Sequence, residues 1–225
     1  MRIFIDLETI PDQKPDAFDR CLAAVKPPGN YKKPETIEAW LEENAHKIAT
    51  EQLEKTSLDG LHGEICAIGF ALGDLPAESY VRHHGDSEAD LLVLFYDYVR
   101  KRLNKYQFPQ WIGHNLLDFD LRLLKQRTAV NKIPVEKRLF IPADSRHGGD
   151  HVFDTMKEWA GWKGYVKQDE LATAFGLPTK GEFDGSKVWD AWQAGEYDKI
   201  RDYNLYDVET VRKIWAIQTG HTNER

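Results

Sequence analysis

The stretch Arg2-Ile3-Phe4-Ile5-Asp6-Leu7-Glu8 begins with an apolar run and ends in two carboxylates. Its short, continuous apolar character predicts a buried β-strand. Side chains two residues apart in a strand share a face, so Asp6 and Glu8 can reach the same metal ion. A solvated strand end is the competing interpretation, because the same spacing recurs at Asp207 and Glu209.

A second polar group follows the strand predicted for residues 109–114. Asn115 comes directly after this strand, and Phe119 and Asp120 lie in a helix that we expect to start at Asp118. One helical turn would return the Asp120 carboxylate to the end of the strand. In the alternative, Asn115 is a turn residue, Asp118 caps the helix and Asp120 is a first-turn acid that favours the helix dipole.

The last predicted helix, over residues 196–218, contributes a tyrosine and a further carboxylate. Tyr203 and Asp207 are four residues apart, which places the phenol and the carboxylate on the same helix face. The alternative for Tyr203 is packing in the core, and the neighbouring Tyr206 is expected to pack there.

These motifs supply four carboxylates from three parts of the chain: Asp6, Glu8, Asp120 and Asp207. Ligation by oxygen alone suits Mg²⁺ or Mn²⁺ better than a softer metal. Two such ions about 3.5–4 Å apart activate a water and stabilise the leaving oxygen in phosphodiester cleavage. The sequence therefore predicts a site for two divalent cations.

Three motifs together resemble a known family: Asp6-x-Glu8, Asn115-x-x-x-Phe119-Asp120 and Tyr203-x-x-x-Asp207. The set resembles the tyrosine branch (DEDDy) of the DEDD exonuclease superfamily. More narrowly, it is similar to the predicted 3′→5′ exonucleases of bacteria and phages that are related to the proofreading domain of family B DNA polymerases. Residues 171–178 and 184–188 are also similar to that group, whereas residues 13–60 are not.

The resemblance implies a ribonuclease H-like fold and stepwise hydrolysis from a 3′ end that releases 5′-mononucleotides. It implies that Asp6, Glu8 and Asp207 hold the first ion. It further implies that Asp6 bridges to the second ion, which Asp120 helps to hold, and that Tyr203 orients the attacking water.

The resemblance also assigns substrate contacts to Asn115 and Phe119. His114 departs from the tyrosine or phenylalanine that the family often has at this place, which affects the expected local substrate contacts and leaves the carboxylates untouched.

Single-stranded 3′ ends are the expected partner, with DNA preferred over RNA because of the resemblance to a polymerase domain. A 3′→5′ exoribonuclease on the same scaffold is one alternative, since carboxylates that hold metal do not read the sugar. A catalytically silent nucleic-acid-binding or polymerase-accessory module is another. Chance coincidence is disfavoured because three motifs occur in the expected order.

The remaining chain predicts an α/β fold with a mixed central sheet flanked by helices. Further strands are expected at residues 65–72 and 78–83, and further helices at residues 35–54, from Asp86 or Ser87 to about 103, at 154–159, 168–175 and 188–192. Residues 132–142 fit no single element. The length of 225 residues suits a single domain over 1–225, with residues 13–60 as an insertion in its N-terminal half.

Composition narrows the class of protein. A net charge of −7 argues against tight binding of duplex DNA, yet it allows an enzyme that holds only a chain end. Two cysteines argue against a disulfide framework, and we expect a cytoplasmic protein without a membrane span or signal peptide.

His147 and His151 lack partners at zinc-site spacing. Lys125 and Arg127 can contact phosphates or form a charged helix face.

Overall fold

The computed structural model describes residues 1–104, 108–136, 139, 151–179, 181 and 183–221. The chain divides into two compact units. The first comprises Met1–Glu8 and Ile65–Arg225, and the second is Thr9–Glu64. Among the described residues, no helix is both long enough and apolar enough to cross a bilayer.

One mixed sheet forms the centre of the first unit. Within the described residues its strands are β1 Arg2–Ile10, β2 Glu64–Leu72, β3 Glu78–Val81, β4 Gln110–Gly113 and β5 Val152–Asp154. They are arranged in the order β3-β2-β1-β4-β5. β4 runs parallel to both β1 and β5, whereas β3 is antiparallel to β2.

Helices follow the strands along the chain. In the first unit they are α3 Glu88–Arg102, α4 Asp120–Val130, α5 Thr155–Ala160, α6 Gln168–Ala174, α7 Val188–Gln193 and α8 Tyr197–Thr219, with a short 3-10 turn at Gly185–Lys187. In the second unit they are α1 Ala17–Ala24 and α2 Pro34–Lys55, followed by a 3-10 turn at Thr56–Leu58. The predicted α/β fold, a mixed sheet flanked by helices of the ribonuclease H-like type, is confirmed.

The alternation of β1 assigns each of its faces to a different core. Ile3, Ile5 and Leu7 pack in the larger cluster together with residues of α3 and α4. Phe4 packs instead in a second cluster with residues of α8, among them Val208. Because strand side chains alternate, Asp6 and Glu8 share the face of Phe4 and look toward α8.

Three elements differ from the sequence-based expectations. α1 lies in a proline-punctuated stretch where we expected no element before residue 35, and β5 is a three-residue strand ahead of the predicted helix at 154–159. α4 begins at Asp120 and not at Asp118, which lies in the turn before the helix and pairs with Lys157 at 2.7 Å. A three-residue strand is too short to show an alternating pattern, which explains why β5 was missed.

Some predictions fall outside the described residues. Residues 137, 138 and 140–142 of the ambiguous stretch are among these, and so is His147 of the histidine pair. Whether His147 and His151 bind a metal therefore stays untested.

A buried ion pair ties the larger core together. Ser87 caps α3 by accepting a hydrogen bond from the Ala89 N–H at 3.1 Å, and the next residue, Glu88, is only 5% exposed. Its carboxylate accepts two hydrogen bonds from Nε of Arg127, at 2.9 and 3.1 Å, and one from Nη2 at 2.6 Å. It also accepts the backbone N–H of Ile65 at 2.7 Å. Arg127 thus links α4 to α3 and β2. Because its guanidinium binds the buried Glu88 carboxylate, it is not a phosphate-binding residue.

Replacing Arg127 should destabilise the protein strongly. In Arg127→Met the Glu88 carboxylate stays buried without its cation, and we expect the free energy of unfolding to fall by about 3–5 kcal/mol. The matched control is Arg100→Met, which breaks an exposed pair with Asp97 and should cost less than about 1 kcal/mol. Denaturant unfolding of both variants measures the difference, and equal losses would contradict the assignment.

Candidate active site

The middle and the C-terminal half of β1 deliver two carboxylates, Asp6 and Glu8, to one place. Asp6 is half-buried and Glu8 is 7% exposed, and both project from the strand face that meets α8. The intervening Leu7 packs into the opposite core, which fixes the register of the strand. A shift by one residue would exchange the faces of all three side chains, so the apolar pattern itself holds the carboxylates in position.

α8 brings the third carboxylate. Val208 and Val211 of α8 pack against Phe4, and Asp207 lies beside this apolar stripe, 4% exposed. As a result, Asp6, Glu8 and Asp207 each present an oxygen such that the three atoms lie within 4.8 Å of one another. The two neighbouring carboxylates of β1 and the distant carboxylate of α8 are thus brought together.

Asp120 reaches the same strand from another direction. Asn115 takes the left-handed conformation, with φ of 57°, and the chain turns there from β4 toward α4. Asp120 is 4% exposed and its Oδ1 accepts the Leu7 N–H at 3.0 Å. A solvated first-turn acid would not be buried against β1, so the simpler interpretation of Asp120 does not hold.

The carboxylates repel one another strongly. Burial raises the pKa of the Glu8 carboxyl well above its ordinary value, and the charges of Asp6, Asp207 and Asp120 raise it further. Burial is also the main cause that raises the pKa of Asp120, followed by the charge of Asp6. The site therefore brings carboxyl groups so close that their simultaneous ionisation is disfavoured.

Tyr203 stands next to this charge and keeps its proton. Burial raises the pKa of its phenol, and the nearby charges of Glu8 and Asp207 act in the same direction. The phenol is therefore a neutral hydrogen-bond donor and acceptor at any ordinary pH. Its ring lies against that of Phe183, with the centroids 5.1 Å apart.

A pocket of about 610 Å³ opens beside Tyr203. Its lining includes the aromatic residues Phe183 and Tyr206, the basic residues Lys187 and Lys199 and the acidic residue Asp202. This volume is within the range of about 300–1,000 Å³ that is usual for small-ligand sites. Aromatic faces can stack with a base, and ammonium groups attract phosphates.

The two predicted substrate residues, Asn115 and Phe119, each make contacts within the fold. Asn115 is used through its backbone, because its N–H donates to Asp154 Oδ1 at 3.1 Å. Phe119 is partly buried and packs against the larger core immediately before α4. Their proposed contacts with substrate stay predictions.

Sequence reasoning missed Asp154, the last residue of β5. Its carboxylate accepts the N–H groups of Asn115 and Leu117, both at 3.1 Å, and that of Met156 at 3.0 Å. It therefore caps α5 and also holds the turn that leads to Asp120. The sequence offers one signal, since Asp154 is the first residue of the helix predicted at 154–159, where aspartate is a favoured N-cap.

Two amides beside the carboxylates were also missed. Asn204 donates to Asp6 Oδ2 at 2.7 Å, and Gln168 donates to Asp207 Oδ1 at 3.0 Å. Asn204 precedes Val208 by four residues and Val211 by seven, so helical periodicity alone places it on the buried face of α8. Gln168 stands at the start of α6, and its sequence position carries no comparable signal.

The donor set fits a divalent metal. The converging side chains offer carboxylate oxygens only, which is the ligand type that Mg²⁺ and Mn²⁺ prefer. The raised pKa values of Glu8 and Asp120 show negative charge that a bound cation would compensate. Asp6, Glu8 and Asp207 are therefore the residues best placed to hold an ion, with Asp120 adjacent.

Comparison with known proteins adds one finding. A model of the family described as a predicted 3′–5′ exonuclease related to the exonuclease domain of PolB matches residues 65–216. The match includes Asp120, Tyr203 and Asp207 and begins after Asp6 and Glu8. None of the curated proteins that were compared matches the chain.

The electrostatics predict how stability depends on pH. A carboxyl whose pKa is raised by folding binds its proton more tightly in the folded chain. This tighter proton binding stabilises the folded protein at low pH. The stabilisation is lost as the pH rises from about 4.3, the pKa of glutamate in an unfolded chain, through the raised pKa of Glu8 in the folded chain. In EDTA, Glu8→Gln should be more stable than wild type, and the difference should grow between acidic and neutral pH.

Thermal unfolding in EDTA across this pH range measures the effect. Each 1 kcal/mol of relieved repulsion raises the midpoint by roughly 2–4 °C in a chain of this size. The control is Glu38→Gln, which replaces an exposed glutamate of α2 and should follow wild type at every pH. A stability advantage of Glu8→Gln over wild type that shrinks as the pH rises would contradict the predicted sign.

Proposed function

Because the chain belongs to the family of predicted 3′–5′ exonucleases related to the exonuclease domain of PolB, we propose that it is a metal-dependent hydrolase. It removes nucleotides one at a time from the 3′ end of a single strand and releases 5′-mononucleotides. The observation that carries the proposal is the convergence of Asp6, Glu8 and Asp207, whose oxygens lie within 4.8 Å of one another. Chance placement of Asp207 beside the two β1 carboxylates is disfavoured by the repulsion that this placement costs.

In the proposed reaction, different residues of the chain have different roles. Asp6, Glu8 and Asp207 hold the first Mg²⁺ or Mn²⁺ ion, and Asp6 and Asp120 serve the second. When bound, the ions supply activation of a water and stabilisation of the charge on the departing 3′ oxygen. Tyr203 belongs to the tyrosine branch of this superfamily in our proposal, and its neutral phenol orients the attacking water by a hydrogen bond.

A single-stranded substrate is supported by the pocket beside Tyr203, since its aromatic and lysine side chains suit an unpaired base and its phosphate. Its location also favours a chain end, because Tyr203 lines the pocket and also interacts with the Glu8 and Asp207 carboxylates. We propose DNA as the preferred substrate, which the relation to PolB supports. A cytoplasmic location is supported by Cys21 and Cys66, which both carry free thiols.

Cleavage assays test the proposal directly. Matched 5′-labelled single strands of DNA and RNA are incubated with Mg²⁺, Mn²⁺ or EDTA. We expect a ladder that shortens from the 3′ end, requires metal and is stronger for DNA. Asp6→Asn should abolish it, because the variant keeps the side-chain shape and removes a ligand charge, whereas Asp74→Asn, at an 86% exposed side chain, should not change it.

Three outcomes would change the assignment. Wild-type turnover in Asp6→Asn would contradict the site. Binding of both strands without any cleavage would favour a silent nucleic-acid-binding module, and a stronger ladder on RNA would favour the exoribonuclease.

Tyr203→Phe tests the role of the phenol separately. The variant keeps the ring against Phe183 and removes one hydrogen bond to the reacting water. Turnover should fall about 10–100-fold, which corresponds to roughly 1.4–2.7 kcal/mol, while metal binding stays nearly unchanged. Tyr206→Phe is the matched control, because its hydroxyl donates to the Pro178 carbonyl and not toward the carboxylates. Equal turnover in the two variants would remove Tyr203 from the mechanism.

A further inference from the structure

We propose that Asn204 and Gln168 are positioning residues whose amides fix the Asp6 and Asp207 carboxylates in the orientation that binds metal. The inference rests on the proposed function and extends it to residues outside the carboxylate and tyrosine motifs. It is carried by hydrogen bonds and by close packing around both amides.

Asn204 uses its whole side chain for this purpose. The residue is fully buried, and its Nδ2 donates to Asp6 Oδ2 at 2.7 Å and to the Asp6 carbonyl at 3.1 Å. Its Oδ1 accepts the Ser79 hydroxyl at 2.7 Å. Both Asp6 atoms are acceptors, so a reversed amide would place an oxygen against two oxygens. The partners therefore determine which way the amide faces.

Gly69 leaves the space that the Asn204 amide occupies. Gly69 lies opposite Ser79 in the β2–β3 pairing. A Cβ at Gly69 would lie only 2.5 Å from Oδ1 and 2.8 Å from Nδ2 of Asn204. Real Cβ atoms do not approach other heavy atoms so closely, so any side chain at this position would displace the amide. The missing side chain of β2 thus makes room for the group that fixes Asp6.

Gln168 acts on the second carboxylate in the same manner. Its Nε2 donates to Asp207 Oδ1 at 3.0 Å and to the Asp207 carbonyl at 3.3 Å. Gln168 begins α6, whose Leu171 and Ala172 pack against Ile214 of α8. The packing of two helices therefore holds this donor beside Asp207.

The choice of amides has an electrostatic reason. A lysine or arginine in either place would also orient the carboxylate, but its charge would weaken the attraction for a divalent cation. An amide donates a hydrogen bond and adds no net charge. The carboxylates are thus oriented and still fully available to metal. Groups that orient metal ligands in this way typically change metal affinity or activity by roughly 10–100-fold when they are removed.

Mn²⁺ binding without substrate tests the inference independently of cleavage. Asn204→Leu and Gln168→Met retain most of the volume and remove the donors, and Gly69→Ala displaces Asn204 while every polar group stays. For each variant we expect the Mn²⁺ dissociation constant, measured by calorimetry, to rise about 10–100-fold. The Mn²⁺ concentration for half-maximal cleavage should rise in parallel, and excess Mn²⁺ should recover most of the turnover.

Gln218→Met is the matched control. This amide also lies on α8, but it donates to the Thr155 carbonyl at 3.0 Å, so its loss should leave Mn²⁺ binding unchanged. A merely structural role for Asn204 and Gln168 would lower the melting temperature without moving the dissociation constant, and that result would overturn the inference. If Asn204→Leu does not fold, Gly69→Ala and Gln168→Met decide the question by the same criterion.

Failure of the proposed function has a different signature. A wild-type protein that neither binds Mn²⁺ nor cleaves would remove the proposed function, and this inference with it. A wild-type protein that does both, with Mn²⁺ affinity retained in folded Gly69→Ala and Gln168→Met, would remove only the inference.

Discussion

Repulsion among carboxylates at the end of β1 is the constraint around which the first unit is arranged. Asp6, Glu8, Asp120 and Asp207 would separate in an unfolded chain, and folding instead buries most of them within a few ångströms of one another. Burial in a medium of low dielectric increases this cost. The apolar cores on both faces of the sheet must therefore supply the free energy that keeps the charges together. A protein that merely needed stability would not retain such a cluster, so the cost points to metal binding.

The neighbouring polar groups make this arrangement specific. Backbone N–H groups and neutral amides provide the hydrogen bonds: Leu7 donates to Asp120, Asn204 to Asp6 and Gln168 to Asp207. Where the structure needs a charge to be compensated for stability alone, it uses a cation, as in the buried pair of Arg127 and Glu88. The contrast distinguishes Glu88, which pairs with a buried cation, from the site carboxylates, which accept hydrogen bonds from these neutral donors.

The family match and the candidate site cover different parts of the chain. The match covers residues 65–216, whereas two of the converging carboxylates come from the strand before it. Residues 9–64 form a compact unit of their own between those two parts. β1 nevertheless pairs in parallel with β4, and this pairing places Asp6 and Glu8 near the turn that leads to Asp120. A long intervening unit is tolerated because the entropy of closing a loop rises only slowly with its length.

The sequence by itself determined the elements with clear periodicity and the types of residue in the site. The apolar run of β1, the long pattern of α8 and the spacing of Tyr203 and Asp207 are local properties, so they were predictable. Their convergence at one strand end was inferred from motif order and from family resemblance. The tertiary structure alone decided which buried polar residues support the site. Asp154, Gln168 and Gly69 act on partners 37 to 135 residues away in the chain, as the separations of Leu117, Asp207 and Asn204 show. No local pattern encodes such contacts, because hydrogen bonding and close packing depend on distances that only the folded chain defines.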